Sequence, residues 1–241
     1  GIGRTGRGNY GHRLHRGYEG LPNVTFVSIA DPDPRGREEA GTQTGAERLY
    51  ADYREMLEKE ELDLVSVCPR WLDCHEEMVM ACVESGVKGI LCEKPIARTL
   101  AEADRMIEAC EQRGVRLAVG NRRSYPYERH AQKLIQEGAI GELQVLRGYG
   151  TQGHRSGGHD LMVIGTHVLD SIRYFAGADV AWAHGHVTQD GREVGLEDIR
   201  EGLEEIGLIA GNGMQAYYAF ENGVTASFES LPGRAAVEGV M

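Results

Sequence analysis

Short apolar runs and helical patterns alternate over the first half of the chain. The runs are rich in β-branched residues and predict four strands, at residues 24–30, 62–68, 87–91 and 115–119. Apolar residues at helical spacing predict three helices, at residues 47–59, 74–85 and 99–112. Gly86 and Gly114 end the last two of these helices. Strands that alternate with helices through short connections predict a parallel, doubly wound α/β sheet.

The pattern changes after residue 121. Helical spacing predicts two helices, at residues 127–137 and 161–175. Apolar runs predict four strands, at residues 142–149, 180–187, 214–220 and 224–228. Asn222 and Gly223 separate the last two strands, and Asn-Gly is a strong signal for a β-hairpin. We therefore predict a second domain of α+β type, with an open antiparallel or mixed sheet.

These two patterns define the predicted domains. The boundary falls near residue 121 and gives domains at 1–120 and 121–241. The polar, glycine-rich stretch 189–213 is predicted to be a long loop over a site.

Composition narrows the classes of function. The 241 residues include 26 Lys and Arg against 37 Asp and Glu, a net charge of −11, which argues against a nucleic-acid partner. No run of about 18 apolar residues is present, so no membrane span is expected.

The five cysteines contain no Cys-x-x-Cys pair, which argues against a disulfide framework and a structural zinc site. His154, His159 and His167 fit no common metal-ligand spacing, so we expect no metal.

The chain opens on Gly1-Ile2-Gly3-Arg4-Thr5-Gly6, which matches the pattern GxGxxG. Glycines at this spacing allow a tight turn and a close approach of pyrophosphate to the backbone. Asp31 ends the next predicted strand, 25 residues after Gly6, near the position of a carboxylate that binds ribose hydroxyls. Asp31 would repel a 2′-phosphate, so NAD is the predicted cofactor, while Arg35 and Arg37 keep NADP open.

No strand precedes the glycine loop in this sequence, although the motif normally follows one. Residues 231–241 end without a clear closing element. We therefore expect a fragment, truncated at both ends, that lacks the first strand of the parallel sheet. Cytoplasm is only the default localisation, because any signal peptide would lie upstream.

Further motifs are spread along the whole chain. Glu93-Lys94-Pro95 follows a predicted buried strand, at the edge where open α/β sheets bind ligands. The other motifs are the glycine loop, Pro69 with His75, residues 121–126, Gly157-Gly158 and residues 165–170. Together these segments resemble the glucose–fructose oxidoreductase/inositol dehydrogenase (Gfo/Idh/MocA) family over essentially the whole chain.

The resemblance implies a Rossmann domain followed by a substrate domain, and NAD(P)-dependent oxidation or reduction of a sugar or polyol. It implies that Lys94 contacts the nicotinamide ribose and the reacting oxygen, and that His167 is the general acid/base. The implied cofactor-binding residues are Gly1, Gly3, Arg4, Thr5, Gly6, Asp31, Pro69, His75, Glu93 and Lys94. The predicted substrate-binding residues are Arg123, Tyr125 and His167. The resemblance also implies a homo-oligomer that forms through the sheet of the second domain.

One position departs from the family pattern. Many members carry Asp four residues before the histidine, where this chain has Val163. Asp160 and Asp170 lie near the same helical face as His167 and are the candidate replacements, so both are among the predicted catalytic residues. A structural hydrogen bond is the alternative role for Asp170.

Other functions stay open at this stage. Val163 favours a non-catalytic dinucleotide sensor, whereas Lys94 and His167 oppose it. A glycosidase that uses NAD transiently also falls within the range of the family. A methyltransferase can share a glycine-rich loop, but the Glu-Lys-Pro segment and the second domain argue against it.

Overall fold

The computed structural model describes residues 14–121, 123, 125–150 and 153–233, and the backbone of residues 239–240. The chain divides into two compact units. The first ends at Gly120 and also contains Glu204–Ile206, and the second contains Asn121–Leu203 and the residues from Gly207 onward. None of the described helices is long and apolar enough to cross a membrane.

The first unit is built from parallel strands and helices in alternation. Its strands are β1 (Ser28–Ala30), β2 (Arg48–Tyr50), β3 (Leu64–Val67), β4 (Gly89–Cys92) and β5 (Arg116–Val119). Its helices are α1 (Pro34–Thr44), α2 (Tyr53–Lys59), α3 (His75–Ser85) and α4 (Leu100–Arg113). β1 pairs with β2, and β3, β4 and β5 form a three-stranded sheet, with every pairing parallel. The predicted doubly wound, parallel α/β class is confirmed.

Two elements of this unit differ from the prediction. Helix α1 was missed, because Asp31-Pro32-Asp33-Pro34 was interpreted only as the end of a strand. Asp33 in fact caps α1, since its carboxylate accepts hydrogen bonds from the backbone N–H groups of Arg35 and Gly36. The predicted helix 47–59 begins instead as β2, and α2 starts only after Asp52 caps it. A short strand that pairs with a distant partner is difficult to separate from a neighbouring helix by periodicity alone.

The core of the first unit lies between the three-stranded sheet and helices α3 and α4. Its largest contributors are aliphatic and sulfur-containing side chains: Val65, Val67, Val79, Cys82, Val83, Ile90, Cys92, Met106 and Cys110. None of the five cysteines forms a disulfide bond in the part of the chain that the structure describes, which includes all five. Burial raises the pKa of Cys82 to about 12, so this thiol stays protonated and packs as a small apolar group.

An apolar cavity of about 610 Å³ lies between β1 and β3. Among the described residues the two sheets of this unit share no strand pairing. Phe26, Ile29 and Met56 line the cavity on one side, and Val65 and Val67 line it on the other.

The second unit contains a mixed sheet with helices on one face. Its helices are α5 (Pro126–Gln136), α6 (Gly158–Val163) and α7 (Gly165–Ala176). Its strands are β6 (Val145–Tyr149), β7 (Val180–Gln189), β8 (Arg192–Glu193), β9 (Arg200–Glu201), β10 (Leu208–Ile209), β11 (Gly213–Phe220), β12 (Thr225–Ser230) and β13 (Gly239–Val240). Six strands form one sheet in the order β13-β6-β12-β11-β7-β8. β6 and β12 are parallel and the other pairings are antiparallel, which confirms the predicted α+β domain and its hairpin.

Two predicted elements of the second unit are wrong in detail. The helix predicted at 161–175 is two helices, because the chain breaks at Ile164 between α6 and α7. The stretch 189–213 is not a plain loop, since it contains β8 and the short antiparallel pair β9–β10.

Helix α7 packs closely on the sheet. Val168 and Ile172 are buried against Phe228 and Leu146. The helix approaches so closely that a Cβ on Gly148 of β6 would lie 2.6 Å from Ile172 Cδ1. This glycine sets the distance between the sheet and the helix that carries His167.

Candidate functional site

The Glu-Lys-Pro segment follows β4 at the carboxyl end of the parallel sheet. Glu93 is buried, and its backbone N–H donates to the Val67 carbonyl at 2.9 Å, which continues the pairing with β3. The Glu93 carboxylate turns back and accepts a hydrogen bond from the Lys94 backbone N–H at 2.6 Å. The Lys94–Pro95 peptide bond is cis. The buried Glu93 carboxylate therefore holds the Lys94 backbone at the sheet edge.

His75 joins the loops that follow β3 and β4. It is fully buried at the first position of α3. Its ring places Nε2 2.7 Å from the Pro69 carbonyl oxygen and Nδ1 3.1 Å from the Pro95 carbonyl oxygen. The imidazole is enclosed by these loops and holds the backbone at Pro69 close to the backbone at Pro95, which follows Lys94.

Asp31 lies at the end of β1, as predicted from the strand pattern. It is buried, and its carboxylate accepts the backbone N–H of Asp33 at 2.9 Å. The Arg37 guanidinium donates to the Asp31 backbone carbonyl. The predicted acidic residue and a neighbouring arginine are thus brought together. The glycine-loop residues Gly1, Gly3, Arg4, Thr5 and Gly6 lie outside the described residues.

In the second unit, α7 carries two of the predicted residues. His167 is half-buried, and its backbone N–H donates to the Ile164 carbonyl at 3.0 Å, close to the start of the helix. Asp170 follows within one turn, and its carboxylate accepts two hydrogen bonds from the Arg123 guanidinium. This contact raises the pKa of Arg123. The contact is compatible with the structural hydrogen bond that the sequence left as the alternative role for Asp170, and the catalytic role of Asp170 stays a prediction.

Arg123 and Tyr125 are placed differently from one another. The Arg123 guanidinium lies 5.7 Å from the ring centroid of Tyr174 on α7, in addition to its contact with Asp170. Tyr125 precedes α5, is 48% exposed, and packs its ring 5.5 Å from that of Tyr127. The structure brings Arg123, Asp170 and α7 together and leaves Tyr125 at the surface of the unit.

Asp160 does not share a helix with His167. It lies in α6, is fully buried, and is separated from α7 by the break at Ile164. A Cβ on Gly150 would lie 1.9 Å from its Oδ2 atom, so the carboxylate rests against the end of β6. The prediction that a spacing of seven residues places Asp160 and His167 on one helical face is wrong, because the helix is not continuous.

Sequence reasoning missed one polar contact at the carboxyl end of β3. Arg70 follows Pro69, and its guanidinium donates to the buried carboxylate of Glu204. The two residues are 134 positions apart. Neither periodicity nor a local motif could have paired them.

Comparisons with known proteins agree with this arrangement. Residues 1–121 match the family model described as Gfo/Idh/MocA, oxidoreductase family, NAD-binding Rossmann fold. The levoglucosan dehydrogenase of Pseudarthrobacter phenanthrenivorans is 28% identical over 262 residues, covering 95% of this chain and 66% of the relative. The myo-inositol 2-dehydrogenase of Thermotoga maritima is 31% identical over 207 residues, covering 80% of this chain and 60% of the relative. The crystal structure of a probable dehydrogenase from Thermotoga maritima aligns with a TM-score of 0.70 and 26% identity, covering 90% of this chain and 64% of that chain.

The chain belongs to the Gfo/Idh/MocA oxidoreductase family, and its first domain is the NAD-binding Rossmann fold of that family. The resemblance that the sequence motifs predicted is confirmed, as is NAD as the cofactor class. The chain spans 66% and 60% of the lengths of the two curated relatives described above.

Proposed function

We propose that the protein is an NAD(P)-dependent oxidoreductase that acts on a hydroxyl-bearing carbon of a sugar or polyol. The observation that carries this proposal is the Glu93-Lys94 loop, in which a buried carboxylate fixes a lysine at the carboxyl end of the parallel sheet. Open α/β sheets bind their ligands at this edge. The names of the two curated relatives, levoglucosan dehydrogenase and myo-inositol 2-dehydrogenase, support a sugar or polyol as substrate.

The nicotinamide, when bound, accepts or supplies the hydride. The Lys94 ammonium stabilises the negative charge that develops on the substrate oxygen. His167 exchanges the hydroxyl proton, because an imidazole can both accept and release a proton near neutral pH. Arg123, held by Asp170, binds the substrate through its remaining N–H groups.

The cofactor is held by residues of the first domain. Asp31 fits the ribose of NAD, because it is an acidic side chain at the end of β1. Arg37 lies beside it and leaves NADP as the second candidate.

The proposal is tested by turnover and by a matched pair of lysine variants. NADH and NADPH are titrated by fluorescence, and oxidation of levoglucosan, myo-inositol and related polyols is followed by absorbance of the reduced nicotinamide. We expect Lys94→Met to lower kcat by about 10²–10⁴-fold with little change in the Kd of NADH. Lys88→Met removes an exposed lysine paired with Asp63 and leaves kcat unchanged. Equal activity in the Lys94 and Lys88 variants would contradict the role of Lys94.

Tight NADH binding without turnover on any substrate would instead support a dinucleotide sensor. The observation that favours this second candidate is Val163, a buried aliphatic residue where many family members carry an aspartate. Release of a sugar from a glycoside without net change of the nicotinamide would support the hydrolytic use of NAD.

We propose in addition that two copies associate through the open face of the second-domain sheet. Trp182 of β7 is 54% exposed and packs against Tyr217 of β11, with ring centroids 5.5 Å apart. Exposed aromatic pairs of this kind are typical of interfaces. Sedimentation velocity should show an oligomer that Trp182→Arg dissociates and that Leu208→Arg, at another exposed apolar position, leaves intact. A monomeric wild-type protein would overturn this proposal.

A further inference from the structure

The strands β9 and β10 form a small hairpin whose turn carries two acidic residues. The backbone N–H of Gly202 donates to the Gly207 carbonyl at 2.9 Å and closes the turn. Within it Glu204 and Glu205 have φ values of 68° and 57°. This left-handed region is rarely adopted by residues other than glycine, and it persists only where the surrounding structure imposes it.

Part of this turn belongs to the first unit. Glu204, Glu205 and Ile206 belong to that unit, although they follow its other residues by more than eighty positions. Glu204 is 5% exposed and Ile206 is 4% exposed. The Glu204 carboxylate accepts a hydrogen bond from the Arg70 guanidinium. The contact of the buried Glu204 carboxylate with Arg70 and the burial of Ile206 together hold the unusual backbone.

Arg70 is linked to Lys94 through a short series of contacts. Arg70 follows Pro69, whose carbonyl oxygen lies 2.7 Å from His75 Nε2. The opposite side of the same ring places Nδ1 3.1 Å from the carbonyl oxygen of Pro95. Pro95 directly follows Lys94. The fully buried imidazole therefore connects the backbone beside Arg70 with the backbone beside Lys94.

We propose that Glu204 is a positioning residue for Lys94. By holding Arg70 it fixes the loop after β3, and through His75 it fixes the loop that presents Lys94. This inference rests on the proposed role of Lys94 in the reaction. It assigns a function to the turn 202–207 that neither the family motifs nor the spacing of the sequence indicates.

The first test measures the loop itself and needs no substrate. Hydrogen–deuterium exchange is recorded on the cofactor-free protein, its Glu204→Gln variant and a matched control, Arg192→Gln. The control breaks the pair between the exposed Arg192 and Asp198, which lies shortly before the hairpin. We expect faster exchange over residues 92–98 in Glu204→Gln and wild-type exchange there in Arg192→Gln. Faster exchange confined to residues 69–72 and 200–209 would overturn the proposal, because the pair would then only fasten the hairpin.

The second test uses turnover. We expect Glu204→Gln to lower kcat by roughly 10- to 100-fold, since small misplacement of a reacting group is costly, while the Kd of NADH stays within about twofold. A lower melting temperature with an unchanged kcat would overturn the proposal. If Glu204→Gln does not fold, Arg70→Lys provides the same comparison, because lysine retains the charge and loses the planar fork.

The two proposals fail in different ways. In one outcome the wild type turns over no polyol, while Glu204→Gln still alters exchange at residues 92–98. The proposed reaction would then be wrong, and the structural link between Glu204 and the Lys94 loop would be supported. Full activity of Lys94→Met with the same altered exchange would show that the link exists and that Lys94 is not the group it serves.

Discussion

Glu93 and His75 are polar side chains that the first domain buries almost completely. Both side chains form hydrogen bonds with backbone groups of the loops after β3 and β4. A buried polar group left without such a partner costs about 1–3 kcal/mol. These side chains therefore stabilise one conformation of the segment around Lys94, and mobility there would weaken any contact that Lys94 makes with a substrate oxygen.

Thr99 offers a direct measure of how local contacts stabilise this domain. Its hydroxyl accepts the Glu102 backbone N–H at 3.1 Å, and the Glu102 carboxylate accepts the Thr99 backbone N–H in return. We expect Thr99→Ala to lower the free energy of unfolding by about 1 kcal/mol, the usual effect of losing an N-cap. Thr42→Ala, at an exposed position inside α1, should change it by less than about 0.5 kcal/mol. Urea denaturation measures both, and equal losses would show that the capping box contributes nothing.

Glu102 also gives stability a dependence on acid. Burial alone would raise the pKa of its carboxyl, but hydrogen bonds from Arg98 and Thr99 lower it, and the net pKa lies below the ordinary value of 4.5. A lowered folded-state pKa contributes stability above pH 4.5, and this contribution is lost as the pH falls below that value.

Unfolding free energies of wild type and Glu102→Gln, measured between about pH 6 and pH 3, test this dependence. The wild type should lose stability more steeply than the variant as the pH falls. Parallel curves would contradict the contribution of this group.

At the scale of elements, the contact between α7 and β6 positions His167. A Cβ on Gly148 would lie 2.6 Å from Ile172 Cδ1 and 2.7 Å from Val168 Cγ1. We expect Gly148→Val to force the helix outward, to lower the unfolding free energy by about 1–3 kcal/mol and to reduce turnover through His167. Gly185→Val places the same side chain on β7, where nothing lies within 4 Å of the added Cβ, and should be tolerated. Urea denaturation gives the unfolding free energy of the two variants, and steady-state kinetics gives their kcat. Equal unfolding free energies would contradict the close packing of α7 on β6.

The elements that the sequence predicted correctly are those with strong, uninterrupted patterns. Helices α3 and α4 end at Gly86 and Gly114, both in the left-handed conformation that a helix end favours. The hairpin at Asn222-Gly223 joins β11 and β12 as expected. The secondary-structure prediction failed where the same residues have two roles. Asp33 and Pro34 end a strand and also begin α1.

The candidate site could be predicted only where its residues are contiguous. Lys94 and His167 lie in short motifs, so the sequence located them without any knowledge of the fold. The contact of Asp170 with Arg123 joins residues 47 positions apart, and that of Arg70 with Glu204 joins residues 134 positions apart. Such pairs are formed by tertiary packing, and a single sequence carries no pattern that records them.

At the scale of the whole molecule, the chain combines an NAD-binding parallel domain with a mixed-sheet domain. Lys94 and the proposed cofactor-binding residues belong to the first domain, and His167 and Arg123 belong to the second. The net charge of −11 suits a small polar ligand better than a phosphate backbone. Each domain has its own hydrophobic core, so a change at one proposed site residue should leave the other domain folded.

The central claim is that Lys94 acts on a sugar or polyol in the presence of bound NAD(P). It is tested most directly by NADH titration together with turnover on a polyol and anhydrosugar panel, for the wild type and for Lys94→Met. The account predicts that both proteins bind NADH with similar affinity and that only the wild type reduces the nicotinamide at an appreciable rate. Binding by both proteins without turnover in the wild type, or equal turnover in both, would contradict it.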